Sequence, residues 1–353
     1  MYQLILTTND GIDDLAAEEF REVAEREDLR FDSVEREPFG SGGHIRVWTD
    51  EEIERIVPAV QTMRSIHHVI QYIDQFELSD EPMAQIEERL FETDFPEVAA
   101  ADTFRITTKR YGEHDFTSID VQRAAGAGVD SHYETTVDLE DYDVDIRVDV
   151  RDDICLVGPQ HTHVSLSKRH PREYNHPASL KTNVAWAMLR LAHIREHEPK
   201  TLYDPFCGAG TILLEAADCY PELEIAGSDI RDNSADGARR NAELAGFGSR
   251  ITIRSLDARE LDKTFAPGFA DLIVTNPPFG MRLKAGMDFT DFYADILQQF
   301  SYALGKEGRV VLLVLKRSAF RHEMGNVDDL YIRHVRIVET GGLYPGIYVL
   351  QKK

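Results

Sequence analysis

The feature that constrains this chain most is the alternation of short apolar runs with helical stretches through its C-terminal half. Leu202-Tyr203-Asp204, Glu224 to Asp229, Ile251 to Arg254, Ala270 to Thr275 and Arg309 to Leu315 read as strands. Thr211 to Ala217, Asn233 to Ala245 (closed by Gly246) and Phe289 to Leu304 read as helices between them. This alternation predicts an α/β fold with a mostly parallel, doubly wound sheet, because each parallel return needs a crossover. The tail, Tyr331 to Glu339, then Gly341-Gly342, then Tyr344 to Gln351, predicts a closing antiparallel hairpin.

The first of these strands runs into Asp204-Pro205-Phe206-Cys207-Gly208-Ala209-Gly210-Thr211. Glycines let a backbone approach a ligand closely, and the helix N-terminus behind them favours a negative group. Asp229 ends the second strand, where a carboxylate can accept both hydroxyls of a ribose. Asp257 follows the third, placed to take an adenine amino group, and Asn276 ends the fourth. Open α/β sheets bind ligands at the carboxyl ends of their strands, so the four positions predict a nucleoside-bearing cofactor. A dinucleotide fingerprint would need a third glycine three residues after Gly210, where Leu213 stands. Cys207 reads as a small packing residue rather than a nucleophile.

Asn276-Pro277-Pro278-Phe279 lies seventy-two residues past Asp204, directly after an apolar strand. An aromatic exocyclic amine is a poor nucleophile, since its lone pair is delocalised into the ring. The Asn276 side chain and the Pro277 carbonyl can accept both amine hydrogens and so aim the lone pair. The two prolines hold these acceptors in place before any ligand arrives. Phe279 offers a face on which an extruded base can stack. The plain alternative is a proline turn with Phe279 in the core.

The N-terminal half has fewer strands and more highly charged helices. Residues 1–62 predict a small α+β unit, with a strand Tyr2 to Thr7, a helix Ile12 to Glu27, a strand His44 to Thr49 and a helix Glu51 to Val60. Residues 63–167 predict a second unit, with a strand Phe104 to Lys109, a helix Ser118 to Val129 and strands at Val144 to Val150, Ile154 to Val157 and His163 to Ser167. Residues 168–175, interrupted by proline, form the expected linker to a third unit at 176–353.

Sixty-three acidic residues face thirty-nine basic ones, and only ten of the latter are lysine. Such an acidic, lysine-poor surface stays hydrated in high salt, which suggests a salt-adapted, archaeal source. It also weighs against phosphate contacts unless a locally basic face exists. Lys109, Arg110, Arg123, Lys168, Arg169 and Arg172 are the candidates. Three unpaired cysteines suit a reducing cytoplasm, no apolar run reaches membrane-spanning length, and the scattered His161, His163 and His170 predict no metal site.

The loop motif with Glu215 behind it, and Asn-Pro-Pro-Phe-Gly-Met-Arg-Leu from Asn276, resemble the Rossmann-fold RNA guanine-N2 methyltransferases. His176-Pro177-Ala178-Ser179-Leu180 is similar to the segment that helps close the cofactor pocket in that family. Phe104 through Ser118 resembles a THUMP domain, and residues 1–62, with Gly11-Ile12-Asp13-Asp14-Leu15, resemble the ferredoxin-like domain that precedes it. The resemblance implies S-adenosylmethionine as cofactor, bound by Asp204, Phe206, Cys207, Gly208, Gly210, Thr211, Asp229, Ile230, Asp257, Ala258 and Asn276. It implies catalysis by Asn276, Pro277 and Phe279, and substrate contacts by Lys109, Arg110, Phe279 and Arg282. The implied partner is tRNA, its CCA end on THUMP and its acceptor stem at the methyltransferase domain. Guanosine 6 is the implied target, ahead of guanosine 10 or a ribosomal guanine. DNA-adenine or protein-glutamine methylation, or RNA binding without catalysis, stand as the remaining alternatives.

Overall fold

The computed structural model describes residues 2–176, 179–278 and 289–353. They divide into two compact units, Met1–Thr8 with Ala16–Leu166, and Asn9–Leu15 with Ser167–Lys353.

The first unit holds two sheets. Strands β1 (Tyr2–Thr7), β2 (Ser33–Arg36), β3 (His44–Thr49) and β4 (His68–Gln71) form an antiparallel sheet in the order β2-β3-β1-β4. The period of two turns Leu4 and Leu6 toward Phe20 and Ile56 on the covering helices, and Ile5 toward Ile70, Tyr72 and Leu156. The second sheet contains β5 (Asp74–Glu77), β6 (Thr103–Tyr111), β7 (Thr136–Val137), β8 (Val144–Arg151) and β9 (Ile154–Pro159), in the order β5-β9-β8-β6-β7. Ile146, Val148 and Val150 of β8 pack with Phe104, Ile106 and the helix Ser118–Tyr133. Thr117 and Asp120 start that helix with a reciprocal capping box.

The opposite face of β8 is charged yet buried. Asp145, Arg147, Asp149 and Arg151 alternate there, all nearly inaccessible to solvent. Arg147 pairs with Asp149 at 2.6 Å and Arg105 with Asp145 at 2.8 Å, while the Tyr72 hydroxyl donates to Asp149 at 2.7 Å. Burial pushes the Tyr72 hydroxyl well above its ordinary pKa, and the Asp149 charge adds to the shift. The Arg147–Asp149 pair is tolerated because both Asp149 oxygens are hydrogen-bonded, whereas Asp145 Oδ1 and Arg151 Nε have no hydrogen-bond partner among the described residues.

One expected strand is absent. His163 to Ser167 joins no sheet, and Leu166–Lys168 forms a single 3₁₀ turn. Gln160 makes one isolated bridge to Ile70, after which side-chain bonds take the place of the ladder: Gln160 Nε2 donates to the nearby Thr162 carbonyl at 3.0 Å, and Thr162 Oγ1 accepts from the Val69 N–H of β4 at 3.3 Å. Side chains that bond nearby backbone offer an alternative to a ladder, and β-pattern alone does not reveal it.

The second unit is built on β10 (Thr201–Asp204), β11 (Glu224–Asp229), β12 (Ile251–Ser255), β13 (Ala270–Thr275), β14 (Leu304–Val314), β15 (Leu330–Ile337) and β16 (Gly346–Lys352). Their order is β12-β11-β10-β13-β14-β16-β15, parallel except for β16, which runs antiparallel to both neighbours. One apolar core lies on each face, around Trp186, Leu213 and Leu214 on one side and Phe292, Tyr293, Ile296 and Phe300 on the other. From β10 the chain winds outward through β11 and β12, then returns to β13 on the other side of β10. The switch point therefore lies between β10 and β13, where a doubly wound sheet opens a crevice. No helix among the described residues is long and apolar enough to cross a membrane.

Candidate active site

A crevice of about 630 Å³ opens at the carboxyl ends of these strands. Asp204, Phe206, Cys207, Gly208, Thr211, Asp229, Ile230, Asp257, Ala258, Asn276 and Pro277 all line it. Gly210 does not, and serves the loop from behind. It holds φ +84° at the start of the helix Thr211–Cys219, a left-handed conformation that favours glycine. Lys109 and Arg110 belong to β6 in the first unit. As neighbours in one strand they point to opposite faces. The Lys109 N–H donates to Asp149 at 3.0 Å, and the Arg110 guanidinium lies 5.7 Å from the Phe116 ring centre. Phe279 and Arg282 fall outside the described residues.

The cofactor loop is fixed by its own carboxylates. Asp229 accepts from the Gly208 N–H at 3.1 Å and from the Arg231 N–H at 2.9 Å, so it shapes the loop as well as facing the crevice. Asp257 is held by the Arg259 guanidinium at 2.7 Å. Burial alone would raise the Asp257 pKa, but the Arg259 hydrogen bonds and charge hold it below the ordinary carboxylate range. Asp204 is wholly buried. It accepts from the Thr275 hydroxyl at 2.6 Å and the Phe206 N–H at 3.1 Å, which ties the end of β10 to the end of β13. No cation stands beside it among the groups that shift it, so burial pushes it up to about 7, with repulsion from Asp229 adding to the rise. The Cys207 thiol is driven well above its usual pKa by burial, then by Asp204 and Asp229.

Two polar atoms on the crevice are buried without a hydrogen-bond partner among the described residues: Asn276 Oδ1 and Ser179 Oγ. A buried polar atom left unpaired costs about 1–3 kcal/mol, and such atoms concentrate where a ligand completes them. Asn276 stands at the end of β13, beside the switch point.

The stretch from residue 169 to 176 is irregular in backbone but firmly tied. Arg169 and His170 both reach the buried Glu215, at 2.7 and 3.0 Å, and Arg172 donates to Thr211 Oγ1 at 3.0 Å. Asn241 Oδ1 accepts the N–H groups of Glu173 and Tyr174 at 3.0 and 2.9 Å. Arg169 and Arg172 thus serve the cofactor helix, and neither contributes a free basic face. Sequence reasoning missed Leu313, Phe292, Arg259, Thr340 and Leu343 as crevice residues. Only the Gly341-Gly342 hairpin signal pointed toward the last two.

Residues 169–345 match the model of the RMKL-like methyltransferase domain, and residues 82–158 match the THUMP domain. The chain is 34% identical over 98% of both lengths to a tRNA (guanine(6)-N2)-methyltransferase of Thermus thermophilus. A protein of the same name from Archaeoglobus fulgidus is 33% identical over 70% of this chain and 69% of its own. The crystal structure of TrmN from Thermus thermophilus superposes over all of both chains with a TM-score of 0.82 at 32% identity. SMU.472, a putative methyltransferase complexed with SAH, shares the fold at 17% identity and a TM-score of 0.76, covering 100% of this chain and 98% of its own.

Strand order and crevice define a Rossmann-like methyltransferase. The chain belongs to the RMKL-like methyltransferase family, in its THUMP-bearing form, and its cofactor is S-adenosylmethionine. The residues present suit that group: carboxylates Asp229 and Asp257 at one end of the crevice, and the unpaired Ser179 and Asn276 oxygens elsewhere on its wall. When bound, the cofactor supplies an electrophilic methyl group.

Proposed function

We propose that this protein methylates the exocyclic N2 of a guanosine in tRNA, with guanosine 6 of the acceptor stem as its target. The unpaired Asn276 Oδ1 carries the reading. It is an acceptor placed beside the cofactor loop and backed by the buried Pro277, as an amine with two hydrogens requires. With Asn276 and the Pro277 carbonyl taking those hydrogens, the N2 lone pair is directed at the methyl group. Displacement is then direct, and no residue of the chain needs to form a covalent intermediate. Phe279 stacks on the base and Arg282 contacts the substrate beside it. Asp229 and Asp257 take ribose and adenine.

The relatives named above support tRNA and position 6, and the THUMP domain supports an RNA partner. On this reading THUMP receives the CCA end, with Lys109 and Arg110 among its contacts, while the acceptor stem reaches the crevice. The enzyme works in the cytoplasm. Its net charge of −24 marks a salt-adapted, archaeal protein whose activity rises with KCl, and an optimum at low salt would remove that part.

Incubation with labelled S-adenosylmethionine and a tRNA transcript, followed by nucleoside mass spectrometry, tests the reading. The expected product is N2-methylguanosine, lost when guanosine 6 is changed to adenosine. Label in N6-methyladenosine or in protein would overturn it. Undiminished label in the altered transcript would move the target to another guanosine.

A further inference from the structure

The second unit takes in residues far upstream of its own sheet. Asn9–Leu15 cluster with Ser167–Lys353, although nothing in the cofactor site calls on them. Asn9 is 2% exposed, and its side chain is a bridge. Its Oδ1 accepts from Nδ2 of the buried Asn183 at 2.6 Å, and its Nδ2 donates to the Glu339 carbonyl at 2.7 Å and to Glu339 Oε2 at 3.2 Å. The Glu339 N–H donates in turn to the Asp10 carbonyl at 2.9 Å. Gly11 sits at φ +91°, so close to the hairpin that a Cβ would lie 2.0 Å from the Ile337 carbonyl oxygen. Arg336 closes the contact by bonding the Gly11 carbonyl at 3.1 Å and the Asp14 carboxylate at 2.7 Å.

What Asn9 holds is the base of the turn between β15 and β16. Glu339 Oε1 accepts the Gly342 N–H at 2.7 Å, and Thr340 and Leu343 bond one another across the turn at 2.9 and 3.2 Å. Thr340, Gly341 and Leu343 then line the crevice together with Leu313. Strand order places this wall beyond Asn276, on the side away from the cofactor loop of β10. A two-glycine turn has little rigidity of its own, so its position depends on the groups that grip it.

We propose that Asn9 is a positioning residue for methyl transfer: through Glu339 it fixes the Thr340–Leu343 turn as the wall against which the target base is received. The proposal rests on the guanine-N2 reading for its substrate but not for its geometry. It makes an N-terminal residue part of the methyl-transfer machinery, separate from any role in RNA capture.

The test is Asn9→Ala in the full chain, with two readouts. Amide hydrogen exchange reads the clamp directly. Exchange at Gly342 and Leu343 should speed by about tenfold or more, while Cys207 and Gly208 keep wild-type protection. With tRNA, kcat should fall by about 10- to 100-fold, while the dissociation constants for S-adenosylmethionine and tRNA stay within about twofold. Glu339→Ala should reproduce both effects and Glu339→Gln should do so less; because Glu339→Ala leaves the Asn9 bond to the Glu339 carbonyl in place, the Asn9→Ala/Glu339→Ala double variant should lose more than Glu339→Ala but less than the sum of the two single losses. Unchanged exchange at Gly342, full kcat, parallel loss of cofactor affinity or additive double-variant losses would each overturn the proposal. Failure of the guanine reading shows separately, as a wild-type protein that makes no N2-methylguanosine; exchange then still decides whether Asn9 holds the turn.

Discussion

Asp149 in the first unit and Asp204 in the second are equally dry, 1% exposed each, yet their surroundings treat them in opposite ways. Asp149 has both oxygens taken, by Arg147 and the Lys109 N–H on one and by the Tyr72 hydroxyl on the other. Asp204 receives only a hydroxyl and an N–H, and its nearest charged neighbour among the groups that shift it is another carboxylate. The first arrangement spends its cation inside the unit and is structural. The second keeps a carboxylate near its titration point on the wall of a crevice, beside an unpaired amide oxygen and an unpaired hydroxyl. An unpaired buried atom points to a ligand where it also lines a crevice, as Asn276 Oδ1 and Ser179 Oγ do and Asp145 Oδ1 on β8 does not.

The sharpest way to break the contrast is to remove the cation from the satisfied side. Arg147→Ala leaves Asp149 buried and uncompensated, which should cost about 3–5 kcal/mol. Thermal unfolding of the variant should show the first unit melting early, while the affinity for S-adenosylmethionine is retained. A variant as stable as wild type would mean that water already reaches Asp149 and that the Arg147 pair adds nothing to stability.

On the incomplete side, Asn276→Ala removes the unpaired acceptor. The expected loss is about 10²–10³ in kcat, some 2.7–4 kcal/mol, comparable to deleting one oriented transition-state group. Calorimetry should show a far smaller loss of cofactor affinity than of turnover, because Asp229 and Asp257 remain in place. Unchanged turnover on tRNA would end the amine-clamp account.

Asp204 provides a pH test of intermediate size. Its folded pKa of about 7 lies above its ordinary value of 3.8. The folded free protein therefore holds a proton that the unfolded chain gives up. That contribution to stability is full below about pH 4 and is lost as pH rises through 7. A cationic ligand favours the ionised form, so cofactor binding should release this proton. Affinity should then strengthen with pH, by up to about tenfold per unit below 7 and little above it. Asp204→Asn should flatten the profile between pH 5.5 and 8. A sloping profile in that variant would assign the proton to another group.

The strand–helix alternation made most of the second unit legible, because glycine loop, acidic strand ends and Asn276 each sit where a parallel sheet must present ligand groups. β11 and β13 fall on the residues expected, and the helix after Gly210 runs two residues further than its apolar pattern indicated. Less of the first unit could be read. β2, β4 and β5 have four residues each, too short for a clear period of two, and His163 to Ser167 has strand composition but joins no sheet. The site was legible where one residue follows a strand directly. It was not where the crevice wall comes from partners distant in the chain: Leu313, Thr340 and Leu343, with Asn9 bonded behind them.

The smallest effect expected concerns Cys207. It lines the crevice, and a thiol beside a methyl donor invites a role as nucleophile. Burial and two neighbouring carboxylates keep it protonated, so the thiolate that would attack is scarce. Its N–H donates to the Ser228 carbonyl at 2.9 Å and its carbonyl accepts from the Gly210 N–H at 2.7 Å, bonds that any residue of similar size would preserve. Cys207→Ala should change kcat by less than about threefold and stability by about 1 kcal/mol or less, the cost of a small packing defect. Alkylation by iodoacetamide at pH 8 should be slow at Cys207 relative to the partly exposed Cys219. Rapid modification of Cys207 with loss of turnover would place the thiol on the incomplete side of the comparison, among the groups that wait for a ligand.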